Sequence, residues 1–199
     1  MSVAYLGLGS NLGDRLAGMR AAVLALNEHP HIRIGSDRDV ASLCETSPVG
    51  KAGGQGWFLN SAVRITTDLS PDALLTEILS IEAALGRVRP DPRGCRLIDI
   101  DLLLYGDMVM TAERLSLPHP RMHERRFVLE PLSEIAPSVV HPVLGTTVAT
   151  LARQCREYRT GEIVARIADR TWCRALLGPS PTPIHLPRTS PLIQVPGRA

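Results

Sequence analysis

Residues 96–106 read RLIDIDLLLYG, an apolar run broken by two carboxylates, Asp99 and Asp101. As a strand, Leu97, Asp99, Asp101 and Leu103 share one face, and Ile98, Ile100, Leu102 and Leu104 share the other. The second is a core face. The first holds two like charges two strand rises apart, about 6.6–6.8 Å, where they repel unless a cation sits between them. Asp suits a strand interior poorly, so local propensity is overruled here. A bare DxD on a solvated edge strand is the plainer reading. The apolar flanks and the arginine-rich stretch RVRPDPRGCR (87–96) weigh against it. Two hard carboxylates on one rigid face suit Mg²⁺, which takes oxygen ligands and fills its shell with water and phosphate. Two such ions would neutralise a triphosphate during in-line displacement at phosphorus.

Working outward, VAYLGLGS (3–10) reads as a short strand ending in small residues. NLGDRLAGMRAAVLALNEH then sets Leu12, Leu16, Met19, Val23 and Leu26 at helical spacing, with Asn11 and Asp14 resembling a cap. Strands are expected at 31–45 and 57–67, joined by SPVGKAGGQG, whose four glycines and one proline mark it as mobile. SPDALLTEILSIEAALG (70–86) is a helix: Ser70 caps it, Pro71 opens it, Gly86 ends it, and Leu74, Ile78, Ile81 and Leu85 form its buried stripe. The order strand, helix, strand, strand, helix, strand is that of a ferredoxin-like split βαβ core, so the fold class is α+β. Beyond it, ERLSLPHPRMHERRFVLEPLSEIAP reads as short strands and turns, and TTVATLARQC as a last helix. The expected division is one domain over 1–157 and an extension over 158–199. Residues 156–178 fit no clear pattern. Six prolines among 179–199 and no apolar period mark a disordered tail.

The bulk numbers set broad limits. A chain of 199 residues can bury one sizeable core. Hydrophobic content of 44%, charged content of 21% and a net charge of +2 are those of an ordinary soluble protein. Among 22 basic residues only Lys51 is lysine. Arginine favours bidentate phosphate contacts, although a GC-rich genome gives the same bias. Cys44, Cys95, Cys155 and Cys173 form no CxxC pair or zinc spacing. Reduced thiols, no secretory segment and no run long enough to span a bilayer point to the cytoplasm and away from a membrane.

Other constellations follow. Eight arginines lie between 87 and 126 (Arg87, Arg89, Arg93, Arg96, Arg114, Arg121, Arg125 and Arg126) beside the acidic pair. Together they match a polyphosphate whose charge builds at the leaving group. Six Asp and Glu in the same window leave no net basic patch, and few aromatics argue against an RNA-binding sheet. No nucleic-acid partner is expected. Phe58 and Asn60 share a strand face beside the glycine-rich loop, an arrangement able to stack and hydrogen-bond a flat heterocycle, with Phe127 as a second ring. A core Phe and a turn-forming Asn are the plain alternative. His119 and His123 have zinc-helix spacing, but Pro118 and Pro120 spoil a helix there. GLGSNLG (7–13) lacks the third glycine of a dinucleotide fingerprint.

The combination resembles the 6-hydroxymethyl-7,8-dihydropterin pyrophosphokinase family. The carrying residues are GSNLGD (9–14), FLNSAV (58–63), GRVR (86–89), RGCRLIDIDLLLYG (93–106) and RLSLPHPRMHERRFVLEPLSEIAP (114–137), in the family's order. The resemblance implies transfer of pyrophosphate from MgATP to the pterin's hydroxymethyl group, releasing AMP. It implies two Mg²⁺ held by Asp99 and Asp101, with Arg89, Arg96, Asp99 and Asp101 as the catalytic set. ATP would contact Arg87, Arg89, Arg96, Ile100, Arg114, Ser116, His119 and Arg125. The pterin would lie among Thr46, Ser47, Val49, Phe58, Asn60 and Phe127. A monomer or weak dimer is expected. The chain departs from the family pattern in a loop one residue shorter, and at Arg93, Cys95, Pro120 and Leu79. A paralogue that binds pterin and nucleotide without turnover is the alternative those departures leave open.

Overall fold

The computed structural model describes residues 1–47, 56–86, 96–158 and 162–177. Its centre is an antiparallel sheet. Strand β1 (Ser2–Ser10) leads into helix α1 (Arg15–Glu28), and β2 (Ile32–Arg33) is followed by β3 (Leu43–Thr46) and β4 (Phe58–Thr67). Helix α2 (Pro71–Ala84) then leads to β5 (Asp99–Tyr105). Small pairs β6 (Met110–Thr111) with β7 (Ser116–Leu117), and β8 (Val140–His141) with β9 (Thr146–Thr147), flank α3 (Arg126–Ile135). The described chain ends with α4 (Val148–Tyr158), β10 (Val164–Ala168) and α5 (Arg174–Leu177). In the main sheet the strands run β10-β3-β4-β1-β5, and β2 also pairs with β4.

The sheet separates two cores. On one face α1 and α2 bury Met19, Val23, Leu26, Leu74 and Ile78 against Leu6, Leu8, Val63, Ile100 and Leu102. On the other, α3 and α4 bury Val128, Leu129, Leu132 and Leu151 against Tyr5, Ala62, Leu103 and Leu104. Each fully buried Leu or Ile contributes about 1.5–3 kcal/mol. The second pair of helices reaches only part of its face. The uncovered part carries Phe58, Asn60, Gly9, Asp99 and Asp101, and it becomes the site.

The capping logic of α2 is as expected: the Ser70 side chain accepts the Ala73 N–H, Pro71 opens the helix, and Gly86 leaves it at φ +88°. Several details differ. Asp14, not Asn11, caps α1, accepting the Ala17 N–H at 3.0 Å. Leu12 therefore precedes the helix and is 45% exposed, Leu16 is exposed as well, and the buried stripe is Met19, Ala22, Val23 and Leu26. The strand expected over 31–45 breaks into β2 and β3, because Ser36 and Asp39 close a capping box around a 3-10 turn. Leu103 is an extra residue in the β1–β5 ladder, where Leu6 pairs with Leu102 and Tyr5 with Leu104. That bulge turns Leu104 to the face of Leu103, away from Leu102. Residues 126–135 are helical despite the interior Pro131. Burial of Val128, Leu129 and Leu132 outweighs the one hydrogen bond that proline removes. The loop 48–55, the stretch 87–95 and the tail 179–199 lie outside the described residues.

Candidate active site

Alternation on three neighbouring strands builds the floor. Cys44, Asn60, Gly9 and Asp99 stand opposite one another in a row across β3, β4, β1 and β5. The adjacent row is Ala62, Gly7 and Asp101. Both aspartates thus face glycines across the ladder. A Cβ on Gly9 would come 3.2 Å from the Asn60 Oδ1 atom and 4.0 Å from the Asp99 Cβ atom. The LGLG stretch of β1 (6–9) is therefore a cleared floor, a signal visible as glycines at two alternate positions, Gly7 and Gly9.

One pocket opens above this floor, and a second lies at the β5 edge of the sheet, reaching round to the α2 face. The first, about 230 Å³, is lined by Gly9, Thr46, Ser47, Phe58, Asn60, Arg96, Asp99, Asp101, Arg125 and Phe127. The second, about 280 Å³, is lined by residues including Leu79, Ile100, Asp101, Arg114, Ser116, His119 and Pro120. Asp101 lines both. The structure therefore brings the sequence's pterin candidates Thr46, Ser47, Phe58, Asn60 and Phe127 into one cleft. It brings the ATP candidates Ile100, Arg114, Ser116 and His119 into its neighbour, while Arg96 and Arg125 line the first cleft beside Asp99 and Asp101. Arg87, Arg89 and Val49 lie outside the described residues.

In the first cleft, the Asn60 Nδ2 atom donates to Thr46 Oγ1 at 2.8 Å, and both residues are buried. That bond orients the amide, leaving Oδ1 above Gly9. The Arg125 guanidinium lies 5.7 Å from the Phe127 ring centre, within cation–π range. At the junction, an Arg96 guanidinium nitrogen contacts Asp99 Oδ2, and Arg125 Nη1 lies 4.0 Å from Asp101 Oδ2. Burial, and next the charge of Asp99, raise the Asp101 carboxyl above its ordinary pKa. Arg125 is shifted downward by its own burial. A divalent cation suits this donor set of adjacent hard oxygens carrying mutual repulsion. Among the described residues, no group of three or more His, Cys, Asp and Glu forms a metal cage. Water and phosphate would complete the shell around the pair.

His119 is held by two backbone contacts: its N–H donates to the Leu103 carbonyl at 2.9 Å, and Nδ1 accepts from Arg121 N at 3.2 Å. Burial lowers its pKa, with Asp101 opposing and Arg125 adding to the shift. A neutral ring that accepts at Nδ1 carries its proton on Nε2. His123 lines neither pocket and meets His141 edge-on, ring centres 6.0 Å apart.

Two supporting residues escaped the sequence reading. The Asn11 N–H donates to the Arg96 carbonyl at 3.0 Å, while its Oδ1 accepts the Arg96 N–H at 2.7 Å. The motif GSNLGD therefore splints the backbone of Arg96. On α2, Glu82 is 1% exposed and its Oε1 accepts the Ile100 N–H at 2.7 Å. The signal was present: Glu82 continues the buried spacing of Leu74 and Ile78. Between them, Asn11 and Glu82 hold both ends of the segment that carries Asp99.

Comparison with known proteins accords with this geometry. The chain is 51% identical over 142 residues to a 2-amino-4-hydroxy-6-hydroxymethyldihydropteridine pyrophosphokinase of Methylorubrum extorquens, covering 70% of this chain and 86% of that one. The Bacillus subtilis protein of the same name is 45% identical over 138 residues, covering 69% and 80%. A crystal structure of wild-type Plasmodium falciparum HPPK-DHPS shares the fold, with a TM-score of 0.62 and 17% identity. It covers 79% of this chain, which spans only 46% of that longer one. Residues 5–137 match the family described as 7,8-dihydro-6-hydroxymethylpterin-pyrophosphokinase (HPPK), and the chain belongs to that family.

Proposed function

We propose that this chain transfers the pyrophosphoryl group of MgATP to the hydroxymethyl oxygen of 6-hydroxymethyl-7,8-dihydropterin, giving AMP and the pterin diphosphate for folate synthesis. The observation that carries this reading is the meeting of two pockets at Asp101, one flanked by aromatic rings and an oriented amide, the other by Arg114, Ser116 and His119.

In this reading the first cleft takes the pterin. Phe58 and Phe127 stack on its two faces, and Asn60 and Thr46 hydrogen-bond its edge, with Ser47 completing the wall; by family resemblance Val49 is a further pterin contact. The second takes the nucleotide, with Ile100 and Leu79 against the base side and Arg114, Ser116 and His119 toward the phosphates. The Nε2 proton of His119 is the donor it offers to a phosphate oxygen. Asp99 and Asp101 would hold Mg²⁺, two ions in this reading, and the metal would supply neutralisation of the phosphate charge. Arg96 and Arg125 sit where they can pass from the carboxylates to the triphosphate. By family resemblance Arg87 and Arg89 join them. The substrate hydroxyl attacks the β-phosphorus as the bond to the α–β bridging oxygen breaks and AMP leaves. Positioning and charge neutralisation supply the rate, without a covalent enzyme intermediate.

The strand order β3-β4-β1-β5, each pair antiparallel, supports a ferredoxin-like core. The buried free thiols Cys44, Cys155 and Cys173 suit a reducing cytoplasm. We take the enzyme as a monomer or weak dimer. The deciding experiment is product analysis. AMP and pterin diphosphate should form in equal amounts only when MgATP and the pterin alcohol are both present. ADP as the nucleotide product, or AMP without the pterin, would refute the reading.

A further inference from the structure

Residues 162–177 lie beyond the part of the chain matched to the family, yet they grip β3 at both ends. Near its start, the indole N–H of Trp172 donates to the Ala41 carbonyl at 2.9 Å, and the ring is 8% exposed in the core. Arg170 donates to Glu134 Oε1 and to the Glu134 carbonyl, both at 2.7 Å. The same Glu134 carboxylate accepts from the Ser42 N–H and hydroxyl. At the other end, β10 pairs Val164 with Thr46. The Ile163 carbonyl there accepts the Ser47 N–H at 3.1 Å, and the Ile163 N–H donates to Ser47 Oγ at 3.2 Å. One residue earlier, the Glu162 carbonyl accepts from Arg126 Nη1 at 2.7 Å. Arg126 precedes Phe127, which lines the same cleft as Ser47.

We propose that this C-terminal segment is a positioning element for the pterin-side cleft: the dipeptide Glu162–Ile163 ties the Ser47 wall to the Phe127 wall and fixes their separation. It rests on reading that cleft as the pterin side. Ser47 then acts through Ile163 as a positioning residue. Walls held before the ligand arrives reduce the ordering cost of binding, so the effect belongs to pterin affinity and leaves the nucleotide side alone. Trp172, Arg170 and Glu134 are the fixed anchor, and Glu162–Ile163 the working end.

The test compares steady-state constants for both substrates in full-length variants. Ile163→Pro removes one N–H and keeps the carbonyl, at an edge where proline is tolerated. It should raise the pterin KM about three- to tenfold, the worth of one hydrogen bond, with the ATP KM within about twofold. Ser47→Ala should do the same, Ser47→Thr should restore the wild-type value, and the double variant Ile163→Pro/Ser47→Ala should be no worse than either single. An unchanged pterin KM in both singles overturns the proposal. So does an equal rise in both KM values, or an additive double variant, which would make Ser47 a direct contact. Should Ile163→Pro fail to fold, the two Ser47 variants decide alone: a pterin KM for Ser47→Ala equal to wild type overturns the clamp. Wild-type protein that forms no pterin-dependent AMP would instead sink the functional reading itself.

Discussion

Gly9 stands directly across the β1–β5 ladder from Asp99, and on its other side it faces Asn60. The missing side chain is what lets an acid and an amide share one floor. With Gly9→Ala, the new Cβ meets Asn60 Oδ1 at 3.2 Å, so the amide must move. The pterin dissociation constant should rise by about fivefold, as expected when a polar contact worth about 1 kcal/mol is misplaced, while the melting temperature changes little. Calorimetry with the pterin and a thermal melt check both halves.

Asn11 is expected to act on Arg96 alone. Asn11→Ala leaves the Arg96 N–H without its 2.7 Å acceptor. kcat should fall about tenfold, with the pterin KM within about twofold. Asn11→Asp keeps an oxygen acceptor and should recover most of the loss. A rapid-quench measurement of AMP formation separates this from an effect on binding.

Glu82 is the second splint, and its variants should separate acceptor from charge. Glu82→Ala leaves a buried Ile100 N–H unsatisfied, at a cost of about 1–3 kcal/mol. In a chain of this size that lowers the melting temperature by about 2–4 °C per kcal/mol. Glu82→Gln retains an acceptor oxygen and should melt close to wild type. Differential scanning calorimetry of the two variants gives the answer.

Much of this was legible in the sequence, and the exceptions share a cause. RLIDIDLLLYG declared a strand with two acids on one face, and SPDALLTEILSIEAALG declared its helix by cap, proline and stop. The bulge at Leu103 was not legible, since it depends on how β1 pairs with β5. Helix α3 was hidden by Pro131 and is maintained by burial against the sheet. The site residues in the first cleft could be named from β3, β4 and α3 before their convergence was known. The role of Asn11 could not, and for Glu82 the spacing with Leu74 and Ile78 marked burial but not the group it accepts from, because each acts on a backbone group 85 or 18 positions away in the chain. Their partners exist only in the folded molecule.

The anchor of the C-terminal segment carries a pH signature. Burial alone would raise Glu134, but hydrogen bonds from Arg170 and Ser42 outweigh it and hold the carboxyl below its usual 4.5. A group lowered in the folded state adds stability above its unfolded value, and that stability is lost as pH falls through the folded value. Glu134→Gln should therefore cost about 1–3 kcal/mol near pH 7. The gap between the two thermal melts should close as the pH is taken down from 4.5. A gap that stays constant through the acid range would show that the charge of Glu134 is immaterial.

The most direct measurement is Mn²⁺ uptake, followed by electron paramagnetic resonance, with a non-hydrolysable ATP analogue and either wild-type protein or Asp101→Asn. Burial and the charge of Asp99 both disfavour the Asp101 carboxylate in the metal-free protein, so the amide should fold at least as stably as the acid. Its affinity for the metal–nucleotide should nonetheless drop by about tenfold or more. Equal uptake by the two proteins would contradict the assignment of the acidic pair as the seat of the metal.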